Sequence, residues 1–367
     1  MILSCASLLT GINKIQFDMR RGIFLAKTVV VVGIVISLLS CNRGQIDSES
    51  IFEKEIDYIP INTDQQFLFD NIYHPRKMRV IGDLMLVSDF QNFPPFHILE
   101  TQSDGTLAYL RGEGTEGRGP GEFQLVEDFI ETDSLVYVYD GGQLKLISYY
   151  KDMTTAPYDD IQMRINGRPI TMNALSNGRL VAGGLFFNDR FQVFNTAGEI
   201  ILNAGEQIVF DEDFLPRELA TSWYSFSVTN PEKDRVYIFS LNADFIEKYN
   251  GEGELLKRVQ GKEFGLPVRK LETVNEQQFS ADDGGKAAYL WVDSDENYIY
   301  ALYSGEMRAD LDGLSANKVH QFDWDLNLVN AYELDHDTYM LTANGNGGIY
   351  TFIEIDEGTE FRYTALD

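Results

Sequence analysis

Apolar and polar residues alternate along most of the chain in a pattern typical of β-strands. From about residue 67, short runs rich in Val, Ile, Leu, Phe and Tyr are separated by Asp, Asn and Gly residues that favour turns. No long stretch shows the apolar period of 3.6 residues that marks an amphipathic helix. The pattern therefore predicts an all-β fold.

One apolar phrase recurs six times along this part of the chain. The first residues of successive copies are 51, 45, 56, 62 and 50 positions apart. The copies are LMLVSD from Leu84, LVYVYD from Leu135, LVAGGL from Leu180, VYIFSL from Val236, YIYALY from Tyr298 and GIYTFI from Gly348. A repeat of this length with several strands per unit is typical of a β-propeller, so we predict six four-stranded blades. Two stacked β-sandwich domains are the alternative architecture.

Polar turns follow the apolar phrase in several repeats. They lie at residues 103–107, 196–200, 251–255 and 323–328. Asp and Gly tolerate the backbone of a tight turn, so these segments predict hairpins. The last repeat leaves too little chain for a full blade, whereas residues 56–61 and 66–69 have strand-like patterns. The sequence therefore predicts a propeller over residues 61–367, with an N-terminal strand that closes the last blade.

The first forty residues have a different character from the rest. Arg20, Arg21 and Lys27 precede an apolar run at residues 28–40, which is followed at once by Cys41. A run of thirteen residues is short for a transmembrane helix, which needs about 20 residues. The four residues ending at Cys41, LLSC, resemble the lipobox of bacterial lipoproteins. An ordinary membrane anchor that ends in a chance cysteine is the alternative.

The resemblance to a lipobox implies a signal peptide over residues 1–40 and a lipid on Cys41. Residues 1–18 lie upstream of the protein if Met19 is the start. Residues 41–60 are then a lipid-attached linker. The residues after Cys41 lack an acidic run that marks surface export in some related lipoproteins. We therefore expect a lipid anchor in the outer membrane, with the protein on the periplasmic face.

The charge of the chain restricts its partners. The formal net charge is −27, and because residues 1–40 carry +3, the remainder carries −30. Such a surface repels nucleic acid and anionic lipid head groups. The only cysteines are Cys5 and Cys41, so the propeller contains no internal disulfide and depends on apolar burial.

A glycine-rich stretch, GEGTEGRGPGEF at residues 112–123, contains the pattern G-x-G-x-x-G. A dinucleotide site must open a helix, whereas predicted strands flank this stretch. The near match to a phosphate-binding P-loop has Arg118 in place of Lys and Gly119 in place of Ser or Thr. Three glutamates would also repel phosphate. We therefore interpret the stretch as a turn between strands and not as a nucleotide site.

The same stretch resembles the connection between blades in NHL-type propellers. This connection, the repeats and the lipobox together make the chain resemble the TolB-like, NHL-related six-bladed propeller lipoproteins of Bacteroidetes-type bacteria. The resemblance covers residues 60–367. The resemblance implies that the glycines permit tight turns, that Pro120 fixes one φ angle and that Phe123 packs between blades. It implies a fold more than an activity.

Side chains that could perform chemistry are sparse. The four histidines, His74, His97, His320 and His336, lack the spacing of zinc ligands, so we predict no metal site from them. Two D-x-D-x-N segments, at residues 293–297 and 323–327, lack the Gly and Glu that an EF-hand calcium loop requires. We interpret both as hairpin turns, and residues 282–285 (DDGG) as a loop.

Candidate binding residues lie near predicted loops and strand ends. They are Arg76, Lys77, Arg118, Trp223, Tyr224 and Trp291. The aromatic residues could stack on sugar rings or peptide side chains, and the basic residues could hold an anionic group. The alternatives are that the aromatic side chains belong to the core between blades and that the basic ones are solvated surface.

The sequence favours a noncatalytic role, although whether the protein is an enzyme stays open. A rigid disk with variable loops suits a binding or scaffolding module for an envelope protein, a peptide or a glycan. The alternative is a calcium-dependent lactonase-, hydrolase- or lyase-like enzyme that uses the central channel. No cofactor is predicted apart from the calcium of this alternative. Acids from three or more blades converging on the axis would favour the enzyme, and an axis of mixed character would favour the binder.

Overall fold

A short N-terminal segment contributes three strands that pair with different blades. The computed structural model describes residues 48–367, except residues 51–54, 91, 155–159, 210–213, 262–266, 268–270, 275–276, 281–284, 312–313, 357 and 367. The predicted signal peptide and Cys41 lie outside the described residues. The three strands are β1 (Glu49–Ser50), β2 (Ile59–Ile61) and β3 (Gln65–Leu68). We call this segment, residues 48–50 and 55–68, the N-terminal strap.

The first three blades follow in chain order, each an antiparallel sheet of four strands. Blade 1 contains β4 (Pro75–Ile81), β5 (Leu84–Asp89), β6 (Phe96–Thr101) and β7 (Leu107–Glu113). A connection with β8 (Thr115–Glu116) and β9 (Glu122–Phe123) leads to blade 2. Blade 2 contains β10 (Val126–Glu131), β11 (Leu135–Asp140), β12 (Lys145–Tyr150) and β13 (Ile161–Gln162). Blade 3 contains β14 (Arg168–Ala174), β15 (Leu180–Leu185), β16 (Asp189–Phe194) and β17 (Ile200–Glu206), with a 3₁₀ turn at Ser176–Gly178.

The remaining blades carry longer connections. Helix α1 (Pro216–Ser222) precedes blade 4, which contains β18 (Ser225–Thr229), β19 (Arg235–Ser240), β20 (Phe245–Asn250) and β21 (Leu255–Gln260). The hairpin β22 (Leu271–Val274) and β23 (Gln277–Ser280) precedes blade 5. Blade 5 contains β24 (Tyr289–Ser294), β25 (Ile299–Tyr303), β26 (Ala316–Phe322) and β27 (Leu328–Thr338), with a 3₁₀ turn at Arg308–Asp310. Blade 6 contains β28 (Leu341–Ala343), β29 (Gly348–Ile355) and β30 (Gly358–Ala365). No helix of the described chain is both long and apolar enough to cross a membrane.

The first strands of the six blades form a closed ring around the axis. Each inner strand contacts the next in the order β4, β10, β14, β18, β24 and β28, and β28 contacts β4 to close the ring. These strands are therefore the inner strands of a propeller, and the predicted six-bladed all-β fold is confirmed. The two-sandwich alternative is wrong because a ring of six sheets with one common axis leaves no boundary between two domains.

The N-terminal strap lies along the outer edges of blades 4, 5 and 6. Strand β3 pairs antiparallel with β30 and completes blade 6 as its fourth strand. This confirms the prediction that an N-terminal strand closes the last blade. Strands β1 and β2 pair parallel with β21 and β27 and give blades 4 and 5 a fifth strand each. Part of the strap lies within residues 41–60, the predicted linker.

The glycine-rich stretch is the connection between blades 1 and 2. The Gly117 N–H donates to the carbonyl of Phe123 at 3.0 Å, and the Gly119 carbonyl accepts from Lys145 Nζ at 2.9 Å. Phe123 is fully buried, with its ring 5.7 Å from that of Phe96 in blade 1. Both contacts confirm that this stretch is a turn between strands and that Phe123 packs between blades.

Candidate functional site

A buried ion pair joins the inner strands of blades 1 and 2 at the channel. Lys77 Nζ lies 3.0 Å from Asp128 Oδ1, and both side chains are almost completely buried. The same ammonium lies 4.1 Å from the centre of the Trp291 ring. Asp128 also accepts the backbone N–H groups of Phe129 at 2.8 Å and Met172 at 2.6 Å. Burial lowers the pKa of Lys77, and the Asp128 carboxylate opposes that shift.

Arg79 lies two residues further along the same inner strand and therefore faces the same axis. Its guanidinium donates to the carbonyls of Phe129 at 2.7 Å and Met172 at 3.1 Å. It also donates to Asn173 Oδ1 at 2.8 Å and lies 3.8 Å from Asp293 Oδ1. These contacts fix the guanidinium at the channel side of a cavity that opens at the ends of the inner strands.

This cavity has a volume of about 410 Å³. All six blades contribute to it through residues that end their inner strands or follow them. One lining residue from each blade, in order, is Gly82, Glu131, Asn173, Asn230, Asp295 and Asn344. We call this site the channel-mouth cavity. Its size falls in the range of small-molecule sites, which is roughly 300–1,000 Å³.

The rim of the channel-mouth cavity is held by the turns that form it. Asn230, Asp295 and Asn344 each accept two backbone N–H groups of their own turn through one side-chain oxygen, at 2.7–3.0 Å. Such side-chain caps fix the backbone of a turn without help from a ligand. The rim is therefore arranged before anything binds.

Asp293 places a carboxylate at the wall of the cavity. The residue is 8% exposed. Its Oδ2 atom accepts from the Thr342 hydroxyl at 2.6 Å and from the Ala343 N–H at 3.2 Å. Its Oδ1 atom, 3.8 Å from Arg79, accepts no hydrogen bond within the described part of the chain. This oxygen faces the cavity and is thus available to a donor there.

The lining mixes charges of both signs. The acidic lining residues are Glu131, Asp293, Asp295 and Glu296, and the basic ones are Arg79 and Lys233. Among the described residues, no group of three or more His, Cys, Asp or Glu side chains has a geometry that could hold a metal ion. The described axis and mouth therefore have the mixed character that the sequence analysis associated with a binder.

The basic candidates from the sequence occupy different environments. Lys77 and Trp291 come together in the channel, where the Lys77 ammonium is paired with the Asp128 carboxylate. Arg76 is exposed, with its guanidinium 3.9 Å from the Phe90 ring. Arg118 is exposed in the connection between blades 1 and 2. Neither arginine belongs to the described lining of the channel-mouth cavity.

The candidates Trp223 and Tyr224 pack at the end of helix α1. Trp223 is buried, its Nε1–H donates to the Ile208 carbonyl at 3.0 Å, and the Arg190 guanidinium lies 4.5 Å from its ring. Tyr224 is half-buried with its ring 5.5 Å from Phe226, and burial raises its pKa to about 12. These contacts are those of core side chains between blades.

Two of the histidines and both D-x-D-x-N segments make local contacts within the blades. His97 contacts the Tyr109 hydroxyl at 3.2 Å, and His320 is buried with its ring 4.3 Å from that of Tyr303. In the second D-x-D-x-N segment, Asp323 Oδ1 accepts two backbone N–H groups of its own turn, both at 2.9 Å. In the first, Asp295 makes the corresponding turn while Asp293 faces the channel. The loop at residues 282–284 lies outside the described residues.

Three comparisons with known proteins bear on the fold. A search of the curated proteins gives no match. A member of the DUF4221 family from Bacteroides vulgatus has a TM-score of 0.51 at 9% identity, covering 83% of this chain and 97% of its own. A Bacteroides fragilis protein assigned as exported has a TM-score of 0.49 at 12% identity, covering 87% and 99%. Streptogramin B lyase has a TM-score of 0.46 at 11% identity, covering 82% and 96%. At these identities the likeness concerns the fold alone.

The comparison with family models extends over most of the propeller. The model described as TolB-like 6-blade propeller-like matches residues 51–346. This range begins between the two parts of the N-terminal strap and ends in blade 6, so it includes the residues that form the channel-mouth cavity. With six blades around one axis and the strap closing the last of them, the chain belongs to the TolB-like six-bladed propeller family.

Proposed function

We propose that this protein is an envelope-tethered binding module whose ligand enters the channel-mouth cavity. The observation that carries the proposal is the cavity itself, because all six blades line it and its turns are capped by their own side chains. A preorganised site binds without the entropic cost of ordering its loops. The ligand is a peptide, a segment of an envelope protein or a glycan that fits about 410 Å³.

The pairing of the charged groups in the channel supports binding over catalysis. The Lys77 and Asp128 side chains form an ion pair with each other, and three hydrogen bonds hold the Arg79 guanidinium. Nucleophilic or acid–base catalysis needs a side chain with a free reactive atom beside its substrate. Most polar groups of the described channel are instead engaged in fixing one another.

The sequence supports the tether. Arg20, Arg21 and Lys27, then the apolar run at residues 28–40 and then Cys41, follow the order expected of a lipoprotein signal. A lipid on Cys41 would hold the propeller at the outer membrane, with its periplasmic face as the expected location. Mass spectrometry of the purified protein tests this step, since a lipidated Cys41 changes the mass of the N-terminal peptide.

The test of the binding site blocks the cavity. Ser294 lines the cavity, so Ser294→Trp should fill part of it, while Ser103→Trp places the same side chain on an exposed turn of blade 1. We expect ligands identified on peptide and glycan arrays to bind the unchanged chain and Ser103→Trp equally, and to lose at least tenfold in affinity for Ser294→Trp. Equal binding to all three proteins would overturn the proposal.

A calcium titration tests the enzymatic alternative in the same preparation. Calorimetry on chelator-treated protein, with magnesium as the control, should show no one-to-one calcium site of micromolar affinity. A site of that affinity in the unchanged protein that is lost in Ser294→Trp would instead favour a calcium-dependent enzyme at the channel mouth.

A further inference from the structure

Most charges of the channel-mouth cavity are compensated by neighbours. Glu131 Oε1 lies 2.7 Å from Lys151 Nζ, and Lys233 Nζ lies 2.5 Å from Asp133 Oδ1. The Arg79 guanidinium has three acceptors and the Asp293 carboxylate beside it. A cation that already has this many acceptors has little capacity for an anionic ligand.

The charge that remains is negative and lies on blade 5. Asp295 and Glu296 both line the cavity, and neither forms an ion pair within the described residues. Asp295 accepts only uncharged donors, which are two backbone N–H groups and the Tyr300 hydroxyl at 2.9 Å. The Glu296 side chain is exposed at the rim.

A further acceptor faces the same cavity from its wall. Asp293 Oδ1 belongs to a residue that is 8% exposed, yet it accepts no hydrogen bond from the described residues. The atom is not among the fully buried oxygens that lack a donor, so it is open to the cavity, where a donor group of a ligand can reach it. This atom is independent of the rim carboxylates because it lies in the inner strand and not in the turn.

We infer that the channel-mouth cavity binds a cationic group, a primary ammonium or a guanidinium. The inference rests on the proposed function, because it names the ligand chemistry of the same cavity. Asp295, Glu296 and Asp293 Oδ1 supply the acceptors. An ammonium carries three donors and no acceptor, which matches a wall that offers oxygens. Val80, Ala174 and Ala343 also line the cavity and suit the aliphatic stem of such a group.

The field of the whole chain favours the same ligand. A net charge of −27 raises the local concentration of cations around the protein and lowers that of anions. Two sources share the required chemistry, namely the side chain of a Lys or Arg in a peptide and the free amine of a small molecule such as an amino sugar. The cavity accommodates either source.

The experiment compares charged ligands with their neutral counterparts. Calorimetry on the full chain uses a lysine peptide against its Nε-acetylated form, and glucosamine against N-acetylglucosamine. We expect binding of a charged form, at least tenfold weaker binding of its acetylated counterpart, and an affinity that falls as sodium chloride rises. The two pairs distinguish a peptide source from a small amine.

Variants of blade 5 assign the binding to the cavity. Glu296→Gln and Asp295→Asn should each weaken binding of the charged ligand roughly tenfold, because each removes one charge-assisted contact. Asn at position 295 keeps an acceptor for the turn, so the fold should persist, as far-UV circular dichroism can verify. Glu100→Gln removes an exposed carboxylate from blade 1 outside the cavity lining and should have no effect.

The outcomes separate this inference from the proposed function. Equal binding of charged and acetylated ligands, lost in Ser294→Trp, would overturn the cationic ligand and retain the cavity as the binding site. The same conclusion would hold if the ligands found on the arrays lose affinity in Ser294→Trp while none of the charged probes binds. Binding of the charged probes that survives in Ser294→Trp would overturn both.

Discussion

At the scale of single residues, the two partners of the ion pair in the channel should differ in how much stability is lost when each is replaced. Asp128→Asn leaves the Lys77 ammonium buried beside the Trp291 ring with no carboxylate in contact. Removing one partner of a buried pair typically costs about 3–5 kcal/mol of unfolding free energy. Lys77→Met should cost less, about 1–2 kcal/mol, because Asp128 keeps two backbone N–H donors. Urea unfolding of both variants measures the difference.

The pH dependence of these variants supplies a second check. Burial lowers the pKa of Lys77 from 10.5, and the Asp128 carboxylate limits this shift. Above the lowered pKa the folded chain holds a neutral Lys77 while the unfolded chain is still protonated, so raising the pH stabilises the fold. Asp128→Asn lowers the pKa further, so its deficit against the unchanged protein should shrink as the pH rises towards 10.5. Lys151→Met, at an exposed pair, should change stability by less than about 1 kcal/mol.

At the scale of elements, the N-terminal strap contains strands of unequal importance. β3 is the fourth strand of blade 6, whereas β1 and β2 are fifth strands of blades that are otherwise complete. A chain that begins at residue 63 should therefore still form six four-stranded blades. A chain that begins at residue 70 leaves the edge of β30 open and removes Phe69, whose ring lies 5.7 Å from Phe361. We expect the shorter chain to melt at a lower temperature and to aggregate through that edge.

Size-exclusion chromatography and thermal unfolding compare these two chains with one that begins at Ser48. The chain from residue 63 loses the contact between the Tyr58 hydroxyl and His320 Nε2 at 2.8 Å, so a modest loss of stability is expected. Equal stability and equal monomer content for the chains from residues 63 and 70 would contradict the role assigned to β3.

At the scale of the whole molecule, the sequence predicted the fold because the repeats coincide with one strand of each blade. The six apolar phrases fall on β5, β11, β15, β19, β25 and β29, the second strand of every blade. These strands lie between two neighbours and are mostly buried on both faces, so their patterns are the most apolar. The four polar turns lie between the third and fourth strands of blades 1, 3, 4 and 5. Position within the blade therefore determines which parts of the repeat are visible in the sequence.

The candidate site was harder to predict because it is assembled from short turns far apart in the chain. Asn230, Asp295 and Asn344 are ordinary turn residues in sequence, and only the closed ring brings them to one cavity. A usable signal was present in the inner strands. Lys77 and Arg79 alternate within β4, so two charged side chains point to one face of a strand, which is unusual unless that face lines a channel. The aromatic candidates were less informative because large rings fill the core between blades.

The net charge of the whole molecule leads to a prediction about salt and acid. At pH 7.5 and low salt the mutual repulsion of surface carboxylates destabilises the compact chain, and neutralising part of this charge as the pH falls towards about 5 should increase stability. Asp335 behaves in the opposite way, because burial is outweighed by hydrogen bonds from His336 and Thr63 that lower its pKa to about 2. Its contribution is present above the unfolded pKa of 3.8 and is lost as the pH falls towards 2. Stability should therefore pass through a maximum between these ranges.

Melting temperatures measured at 10 and 500 mM sodium chloride separate the two effects. High salt screens exposed charges, with a Debye length near 4 Å at about 0.5 M, and should remove the gain between pH 7.5 and 5. The loss below pH 3.8 should remain, because the hydrogen bonds to Asp335 are short and local. A gain of equal size at both salt concentrations would show that repulsion between surface carboxylates is not its cause. Asp335→Asn should reduce the acid limb without removing it, because the pKa of Asp89 is lowered as well, and Asp337→Asn, two residues further along β27, should leave the limb unchanged.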